Sequence, residues 1–271
     1  MTHLLANRTA VSEFQSCQSA EVFAVKRPTP QPQPVLRYQV AGHGEPVVLV
    51  HGLCGSTRWW AKNIDALAAW YRVYTVDLAG FGRSRRCGRF VLEDAAGQLA
   101  AWMDSVGLPH AAFVGHSMGG LIVTQLALQA PERVDHLVLV NPTLIPFAWG
   151  YGGHLLRMAR ALPRVPISFL AVLVTDTLRA GLWPVWQVAQ QLLAADIHQE
   201  LGRVTQPVLA IWGEQDDIVP PALGVQVVAA IPGARLAVIE GAGHVPMWER
   251  PSVFNRTVLG FLGQETHVRS R

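Results

Sequence analysis

The sequence predicts an α/β fold in which a mostly parallel central sheet carries helices on both faces. Its short apolar runs are continuous rather than alternating in hydrophobicity, as in strands that are buried on both faces. The predicted strands are 47–50, 72–78, 111–115, 134–140, 207–212 and 235–240. Helix-like stretches separate these runs, at 59–70, 92–106, 119–130, 220–230 and 251–262. Strands and helices that alternate in this way form a mostly parallel sheet.

One long interval interrupts the alternation, between the strand that ends at Val140 and the strand that begins at Pro207. A plain crossover needs only about a dozen residues or slightly more. Apolar residues recur at helical spacing over 184–201, and Pro184 suits the first turn of a helix. We therefore expect residues 143–203 to be an inserted helical lid over the carboxyl ends of the strands. A separate small domain is disfavoured because the interval is short and rich in Trp, Leu and Val.

The rest of the chain divides around this insertion. Residues 35–142 and 204–271 are expected to form the α/β core. Residues 1–34 are expected to be an N-terminal arm followed by an extended connector. The connector is "PTPQPQP" (28–34), whose prolines lack the amide donor that a helix or a central strand requires.

Composition and charge exclude several classes of function. Of the 271 residues, 50% are hydrophobic and 15% are charged, which is typical of a globular protein with a large buried core. The net charge of +3 is too small to indicate a nucleic-acid partner. The 3 cysteines cannot all pair and show no metal-ligand spacing, which favours a reducing compartment. With neither a secretory signal nor a membrane span visible, we expect a soluble cytoplasmic protein.

One basic run stands apart from this mild charge, "RSRRCGR" at residues 83–89. Its main interpretation is a solvated loop surface, and an anion-binding site is the alternative. The adjoining "DLAGFGRS" (77–84) lacks the third glycine of a dinucleotide-binding fingerprint and the Lys-Ser/Thr of a phosphate-binding loop. We expect no cofactor and no metal ion.

A candidate nucleophile lies in "GHSMG" (115–119), which fits G-x-S-x-G between a predicted strand and a predicted helix. A tight strand-to-helix turn forces the backbone of Ser117 into a strained region. Gly115 and Gly119 lack the Cβ atoms that would collide at such a turn. The strain exposes the serine hydroxyl beside a helix N-terminus, which favours negative charge.

A serine hydroxyl needs a base, and His244 is the predicted one. It lies on a glycine-rich loop directly after the last predicted strand. His116 is adjacent to Ser117 in sequence, but a tight turn should point its side chain elsewhere. His51, His110 and His136 are expected to be core or surface residues.

The base in turn needs a carboxylate, which fixes its tautomer and stabilises the imidazolium. The segment "WGEQDDIVP" (212–220) offers Glu214, Asp216 and Asp217 after the penultimate strand. No carboxylate follows the strand that ends at Val140, where "NPT" stands. A nucleophile, acid and base in this chain order are typical of one particular fold.

Four signatures make the sequence resemble the α/β-hydrolase family over about residues 35–262. They are "HGLCGS" (51–56), "DLAGFGRS" (77–84), "GHSMGG" (115–120), and "WGEQDDIVP" paired with "GAGHVPMWERP" (241–251). The family places its acid three residues after the glycine of "WG", which selects Asp216 and leaves Asp217 as a loop residue facing water. The resemblance also makes "DLAGFGRS" a structural turn near the site.

The resemblance further implies an oxyanion hole made of two backbone amides, those of Leu53 and Met118. Fixed donors of this kind stabilise the alkoxide that develops during acyl transfer, and apolar side chains suit both positions because only the amides act. Cys54 stands close to Leu53, but no turn or base is arranged around its thiol. A thiol nucleophile is therefore disfavoured.

These residues predict a serine hydrolase of the esterase and lipase-like branch, which cleaves carboxylic esters through an acyl-enzyme. Lid aromatics with few charges around them indicate a small-molecule substrate with an apolar or aromatic group of small to medium size. The predicted pocket residues are Phe147, Trp149, Trp183 and Trp186. Two alternatives stay open: a C–C bond hydrolase, lyase or perhydrolase that uses the same three residues, and a non-enzymatic small-molecule receptor of the same fold.

Overall fold

A seven-stranded sheet forms the centre of the described part of the chain, residues 36–146 and 150–269 of a computed structural model. The strands are β1 Arg37–Ala41, β2 Pro46–Val50, β3 Arg72–Asp77, β4 Ala111–His116, β5 Val134–Val140, β6 Val208–Gly213 and β7 Arg235–Ile239. Their order across the sheet is β1-β3-β2-β4-β5-β6-β7. Every neighbouring pair is parallel except β1 and β3. The predicted mostly parallel sheet is confirmed.

The edge strand β1 is the one described strand that the sequence did not predict. Four of its five residues are exposed, so it carries no continuous apolar run. It lies at the edge of the sheet and pairs antiparallel with β3, from Arg37 opposite Asp77 to Ala41 opposite Val73. A strand of this kind is held by its backbone ladder more than by side-chain burial, and hydrophobic patterning therefore misses it.

Helices cover both faces of the sheet. The described helices are α1 Ile64–Ala68, α2 Ala95–Ser105, α3 Met118–Gln129, α4 Gly150–Ala161, α5 Ile167–Ala180, α6 Leu182–Ala194, α7 Pro221–Ala230, α8 Pro246–Glu249 and α9 Pro251–Arg269. Alternate strand residues point to opposite faces. In β2, Val48 and Val50 join a core cluster with α2, α3 and α7. Val47 and Leu49 join a second cluster with α1, α8 and α9.

Two predicted helices are shorter than the sequence pattern indicated. Over 59–70 the chain forms a 3₁₀ helix, Thr57–Trp60, and then α1. Over 184–201 the helix α6 ends at Ala194, and a 3₁₀ helix follows at His198–Arg203. The side chain of Asp196 accepts a hydrogen bond of 2.9 Å from the amide of His198. This local bond competes with helix continuation and starts a new turn.

The interval between β5 and β6 folds into α4, α5 and α6. The side of α5 that carries Phe169 packs against the core aromatics Trp59 and Trp248, with ring centroids 5.0 and 5.3 Å apart. Residues of this interval and Ser117, which follows β4 directly, line one cavity. The division into an N-terminal arm, a core and a lid stays a prediction, and residues 1–34 lie outside the described residues.

None of the helices in the described ranges combines the length and the apolar character needed to cross a membrane.

Candidate active site

Ser117 occupies the turn between β4 and α3. Its backbone has φ 51° and ψ −114°, a strained conformation for a residue with a side chain. A Cβ on Gly119 would lie 2.4 Å from the carbonyl oxygen of Val50, and one on Gly115 would lie 2.6 Å from the carbonyl oxygen of Gly119. Both glycines are therefore required by close backbone packing, as predicted. The amide of Ser117 donates to the Val140 carbonyl at 2.9 Å, which fixes the turn against β5.

His244 and Asp216 meet beyond the carboxyl ends of β6 and β7. The Nδ1–H of His244 donates to Oδ2 of Asp216 at 2.8 Å. The other carboxylate oxygen accepts the amides of Ile218 and Val219 at 2.8 and 2.9 Å. Asp216 is buried, with 3% of its surface exposed, and these bonds hold its carboxylate in one orientation. A proton held on Nδ1 leaves the lone pair of His244 on Nε2, as a general base requires.

Asn141 is a component of the site that the sequence reasoning missed. It follows β5 in a left-handed conformation, φ 43°, and is fully buried. Its Nδ2 donates to Oδ2 of Asp216, and its Oδ1 accepts the Gly213 amide at 3.2 Å. It thereby ties the ends of β5 and β6 to the carboxylate. The signal in the sequence is the polar Asn141 of "NPT", which stands directly after a buried strand although no carboxylate does.

Ser117 and His244 line the same cavity. Within residues 36–146 and 150–269, the Ser117 hydroxyl has no hydrogen-bond partner, and the two side chains are not bonded to each other. The hydroxyl is therefore free to meet a ligand. Bonds between a nucleophile and its base are often long in unliganded enzymes and tighten when the substrate binds.

The amides of Leu53 and Met118 lie on the two segments that pack together beside Ser117. Met118 is the first residue of α3, so its amide has no partner within the helix. Neither amide donates a hydrogen bond within the described ranges. A Cβ on Gly52 would lie 3.2 Å from the Cβ of Ser117, which shows how closely the Leu53 segment approaches the serine. The predicted oxyanion hole has its two free donors, and its role stays a prediction.

His116 lies closer to the site than the sequence reasoning expected. Its Nε2–H donates to the backbone carbonyl of His244 at 2.8 Å, and the two rings lie 4.9 Å apart. Burial, together with the nearby His244, holds the pKa of His116 well below its ordinary value. A neutral His116 therefore supports the loop that carries His244, and it is not itself aimed at Ser117 as a base.

His51 shapes the loop that contains Leu53. Its Nδ1–H donates to the Gly52 carbonyl at 2.8 Å, and its Nε2 accepts the Leu78 amide at 3.1 Å. Burial lowers the pKa of His51, so the ring stays neutral in this tautomer. These two bonds explain the histidine of "HG": it couples the end of β2 to the turn after β3.

The cavity beside Ser117 has a volume of about 360 Å³ and is lined mainly by apolar side chains. Helices α5 and α6 contribute Phe169, Leu182, Val185, Trp186, Ala189 and Leu192, among others. Of the four predicted aromatics, Trp186 lines the cavity, and Phe147 and Trp149 lie outside the described residues. Trp183 is 68% exposed and does not line it. The lining positions of α6 recur with helical periodicity from Leu182, and Trp183 is turned about 100° from that face.

Polar groups at the edge of the cavity are held by partners. Asp217, expected to be a loop residue facing water, lies partly exposed in a loop and forms an ion pair with Arg164. Glu249 accepts the amides of Gly243 and Val245, the residues on either side of His244. Burial raises the pKa of Glu249. Through its bonds to these two amides, the side chain anchors the loop that presents the histidine.

Cys54 also lines the cavity, but its thiol is not activated. Burial raises the pKa of this thiol to about 11, so it stays protonated at neutral pH. Within the described ranges, no group of three or more His, Cys, Asp or Glu side chains is placed to bind a metal ion.

The comparison with known families agrees with this geometry. Residues 45–165 and 184–251 match the family model of the α/β hydrolase fold. The chain belongs to that family. As an α/β hydrolase, it combines the family's parallel sheet with a serine at the turn after β4.

The names of similar proteins refer to several kinds of substrate. The hydrolase is 31% identical to RutD of Azorhizobium caulinodans, whose name proposes carbamate hydrolysis, over 84% of this chain and 95% of that one. It is 32% identical to the 2-hydroxy-6-oxo-6-phenylhexa-2,4-dienoate hydrolase of Burkholderia cepacia, over 82% and 89% of the two chains. The solved structure of the enol-lactonase from Burkholderia xenovorans LB400 is 28% identical in sequence, with a TM-score of 0.71, over 84% of this chain and 96% of that one.

Proposed function

We propose that this hydrolase cleaves carboxylic esters of small to medium apolar or aromatic groups through an acyl-enzyme. The observation that carries the proposal is the hydrogen bond between His244 and buried Asp216, beside a cavity that also holds the free hydroxyl of Ser117. Nucleophile, base and acid are then supplied by three separate segments of the chain. Such a set is recognised by its geometry and by the role of each residue.

In the proposed mechanism, Ser117 attacks the ester carbonyl while Nε2 of His244 accepts the hydroxyl proton. Asp216 stabilises the imidazolium through the bond to Nδ1, and the amides of Leu53 and Met118 donate to the developing oxyanion. The imidazolium then protonates the leaving alkoxide, and the alcohol departs. Water then attacks the acyl-enzyme while His244 accepts its proton, and the imidazolium returns this proton to the Ser117 oxygen as the acid is released.

The lining of the cavity favours a neutral acyl group. Arg164 is the guanidinium that lines the cavity, and it is already paired with Asp217. The imidazole of His116 is neutral, and burial lowers the pKa of His154. Among the described lining residues, no unpaired cation is available for a substrate carboxylate, so burying one there would be unfavourable.

A C–C bond hydrolase is the second candidate, because the Burkholderia cepacia relative is named for a dienoate substrate. A dienoate carries a carboxylate, which the apolar lining disfavours. The two candidates differ in their products and are separated by one comparison. The ester candidate predicts turnover of p-nitrophenyl butyrate and little turnover of a 2-hydroxy-6-oxo-dienoate, and the second candidate predicts the reverse.

The Ser117→Ala variant tests the proposal directly. We expect kcat for p-nitrophenyl butyrate to fall at least about a thousandfold, because the residual activity would come from binding and the oxyanion hole alone. A matched control is Ser105→Ala, which removes a hydroxyl that bonds the Trp102 carbonyl at 2.7 Å in α2. The control should keep full activity.

Rapid mixing followed by mass spectrometry should show an acylated Ser117 in the wild-type protein. An alanine variant that keeps its activity would remove the serine from the mechanism. Binding of esters without turnover, detected as ligand-dependent thermal stabilisation of the wild-type protein, would instead favour a receptor.

A further inference from the structure

A second cavity lies outside the candidate active site, where the basic run of the sequence meets α5 of the lid. It has a volume of about 470 Å³, within the range of ligand cavities, about 300–1,000 Å³. Three segments line it: the start of the 3₁₀ helix after β2, the turn after β3, and α5. The lining residues are Ser56, Thr57, Arg58, Asp77, Gly82, Arg83, Arg85, Arg86, Asp176 and Arg179.

Two buried carboxylates form the floor of this second cavity, and the protein satisfies both. Asp77 accepts the amides of Thr57 and Arg83 at 2.7 and 2.9 Å. Asp176 accepts the Ser56 hydroxyl at 2.6 Å. Because their bonding capacity is taken up internally, the carboxylates hold the walls together and do not present an anionic surface to a ligand.

Arginines outnumber these carboxylates in the walls. Arg58 and Arg179 approach Asp176 at 3.1 and 3.9 Å and neutralise it in part. Arg85 and Arg86 are exposed at the rim, and within the described ranges their guanidinium groups have no hydrogen-bond or ion-pair partner. Five arginines therefore face two carboxylates.

Such an excess of positive charge on the walls of one cavity attracts an anion into it. The guanidinium group has fork-like donors that match the oxygens of a phosphoryl group, and it stays charged at any physiological pH. Arg85 and Arg86 both line this cavity, so one anion with several oxygens can contact both guanidinium groups there. A single carboxylate would leave most of the donors unused.

We propose that this second cavity binds a small polyanion that carries phosphoryl groups, such as a pyrophosphate or a nucleoside diphosphate. The ligand accepts hydrogen bonds from Arg85 and Arg86 on the core side and from Arg179 on the lid side. It thereby links α5 to the turn after β3. This is the anion-binding alternative for "RSRRCGR", now placed in a cavity with defined walls.

The test is calorimetric titration of the full-length protein with inorganic pyrophosphate, in the presence of enough NaCl to screen weak surface attraction. The double variant R85Q/R86Q removes the two unpartnered guanidinium groups, and both positions are exposed, so folding should be unaffected. The control R203Q/R256Q makes the same change in net charge at exposed positions away from the cavity. We expect saturable binding by the wild-type protein and the control, and at least tenfold weaker binding by R85Q/R86Q.

Two outcomes overturn the proposal: no saturable binding of pyrophosphate by the wild-type protein, or equal binding by R85Q/R86Q.

A second arm identifies the source of the phosphoryl group by sedimentation with phosphatidic acid vesicles. Sedimentation that requires Arg85 and Arg86 and that pyrophosphate reverses points to a lipid headgroup. Binding of pyrophosphate without sedimentation points to a free phosphate compound. Both results support the cavity as a phosphoryl site.

Discussion

At the scale of single residues, two adjacent aspartates near the candidate site differ in their surroundings. Asp216 is buried, and its carboxylate accepts hydrogen bonds from two backbone amides, from one asparagine side chain and from the imidazole of His244. Asp217 is partly exposed, and its carboxylate pairs with Arg164, which lies between α4 and α5. The sequence order alone left both residues as candidates, and only the resemblance to a family selected the first. The surroundings now give the physical reason for that selection.

Substitution of each aspartate by asparagine separates the two roles. Asp216→Asn is expected to lower kcat by about ten-thousandfold, because the amide no longer fixes the productive tautomer of His244 or stabilises its charged form. Asp217→Asn should leave kcat nearly unchanged and alter the free energy of unfolding by less than about 1 kcal/mol, as is usual for an exposed ion pair. Steady-state kinetics measures kcat, and urea denaturation measures the free energy of unfolding. Equal losses of activity in the two variants would contradict the assignment of Asp216 as the acid.

At the scale of secondary-structure elements, the turn from β4 to α3 holds Ser117 in place. The backbone of α3 approaches the end of β2 so closely that position 119 has no room for a methyl group. Helix α2 carries a comparable glycine, Gly97, where an added Cβ would meet nothing within 4 Å. The two glycines therefore offer the same substitution in a helix with and without a steric obstacle.

We expect Gly119→Ala and Gly97→Ala to change stability in opposite directions. The Cβ at 119 would force the helix away from the Val50 carbonyl, which should lower the free energy of unfolding by about 1–3 kcal/mol and disturb Ser117. At position 97, alanine should raise the free energy of unfolding by up to about 1 kcal/mol, because alanine has the better helix propensity. Chemical denaturation and esterase assays of both variants check this. A neutral Gly119→Ala variant with full activity would show that the turn is less tightly packed.

At the scale of the whole molecule, two buried neutral histidines couple folding to pH. Burial holds the pKa values of His51 and His116 below the ordinary value of about 6.5. Below pH 6.5 the unfolded chain therefore binds protons that the folded protein excludes. The free energy of unfolding should fall as the pH drops from 6.5 toward the lower pKa values of the folded protein.

The variant His116→Asn is expected to weaken this dependence. Loss of one such group should reduce the slope of the unfolding free energy between pH 6.5 and pH 5 by up to about 1.4 kcal/mol per pH unit. His43→Asn, at an exposed position, is the matched control and should leave the slope unchanged. Urea denaturation across this pH range gives the slopes, and identical slopes for wild type and His116→Asn would show that His116 is not buried in its neutral form.

The fold and the site differ in how far they could be predicted. The parallel strands were predictable because burial on both faces requires unbroken apolar runs, as in β2 and β6. The edge strand β1 was missed because backbone pairing, rather than burial, holds it. The approximate positions of Ser117 and His244 followed from local glycine-rich turns, which the sequence displays directly.

The sequence by itself determined the parallel strands, the order of the main elements along the chain and the turn that carries Ser117, since each depends on residues that are neighbours along the chain. The tertiary structure decided the rest: the support that Asn141 gives to Asp216, the place of His116 behind His244, the outward position of Trp183, and the cavity around Arg85 and Arg86. These features join segments that are distant in sequence. No local pattern of hydrophobicity or glycine records which distant side chains will meet.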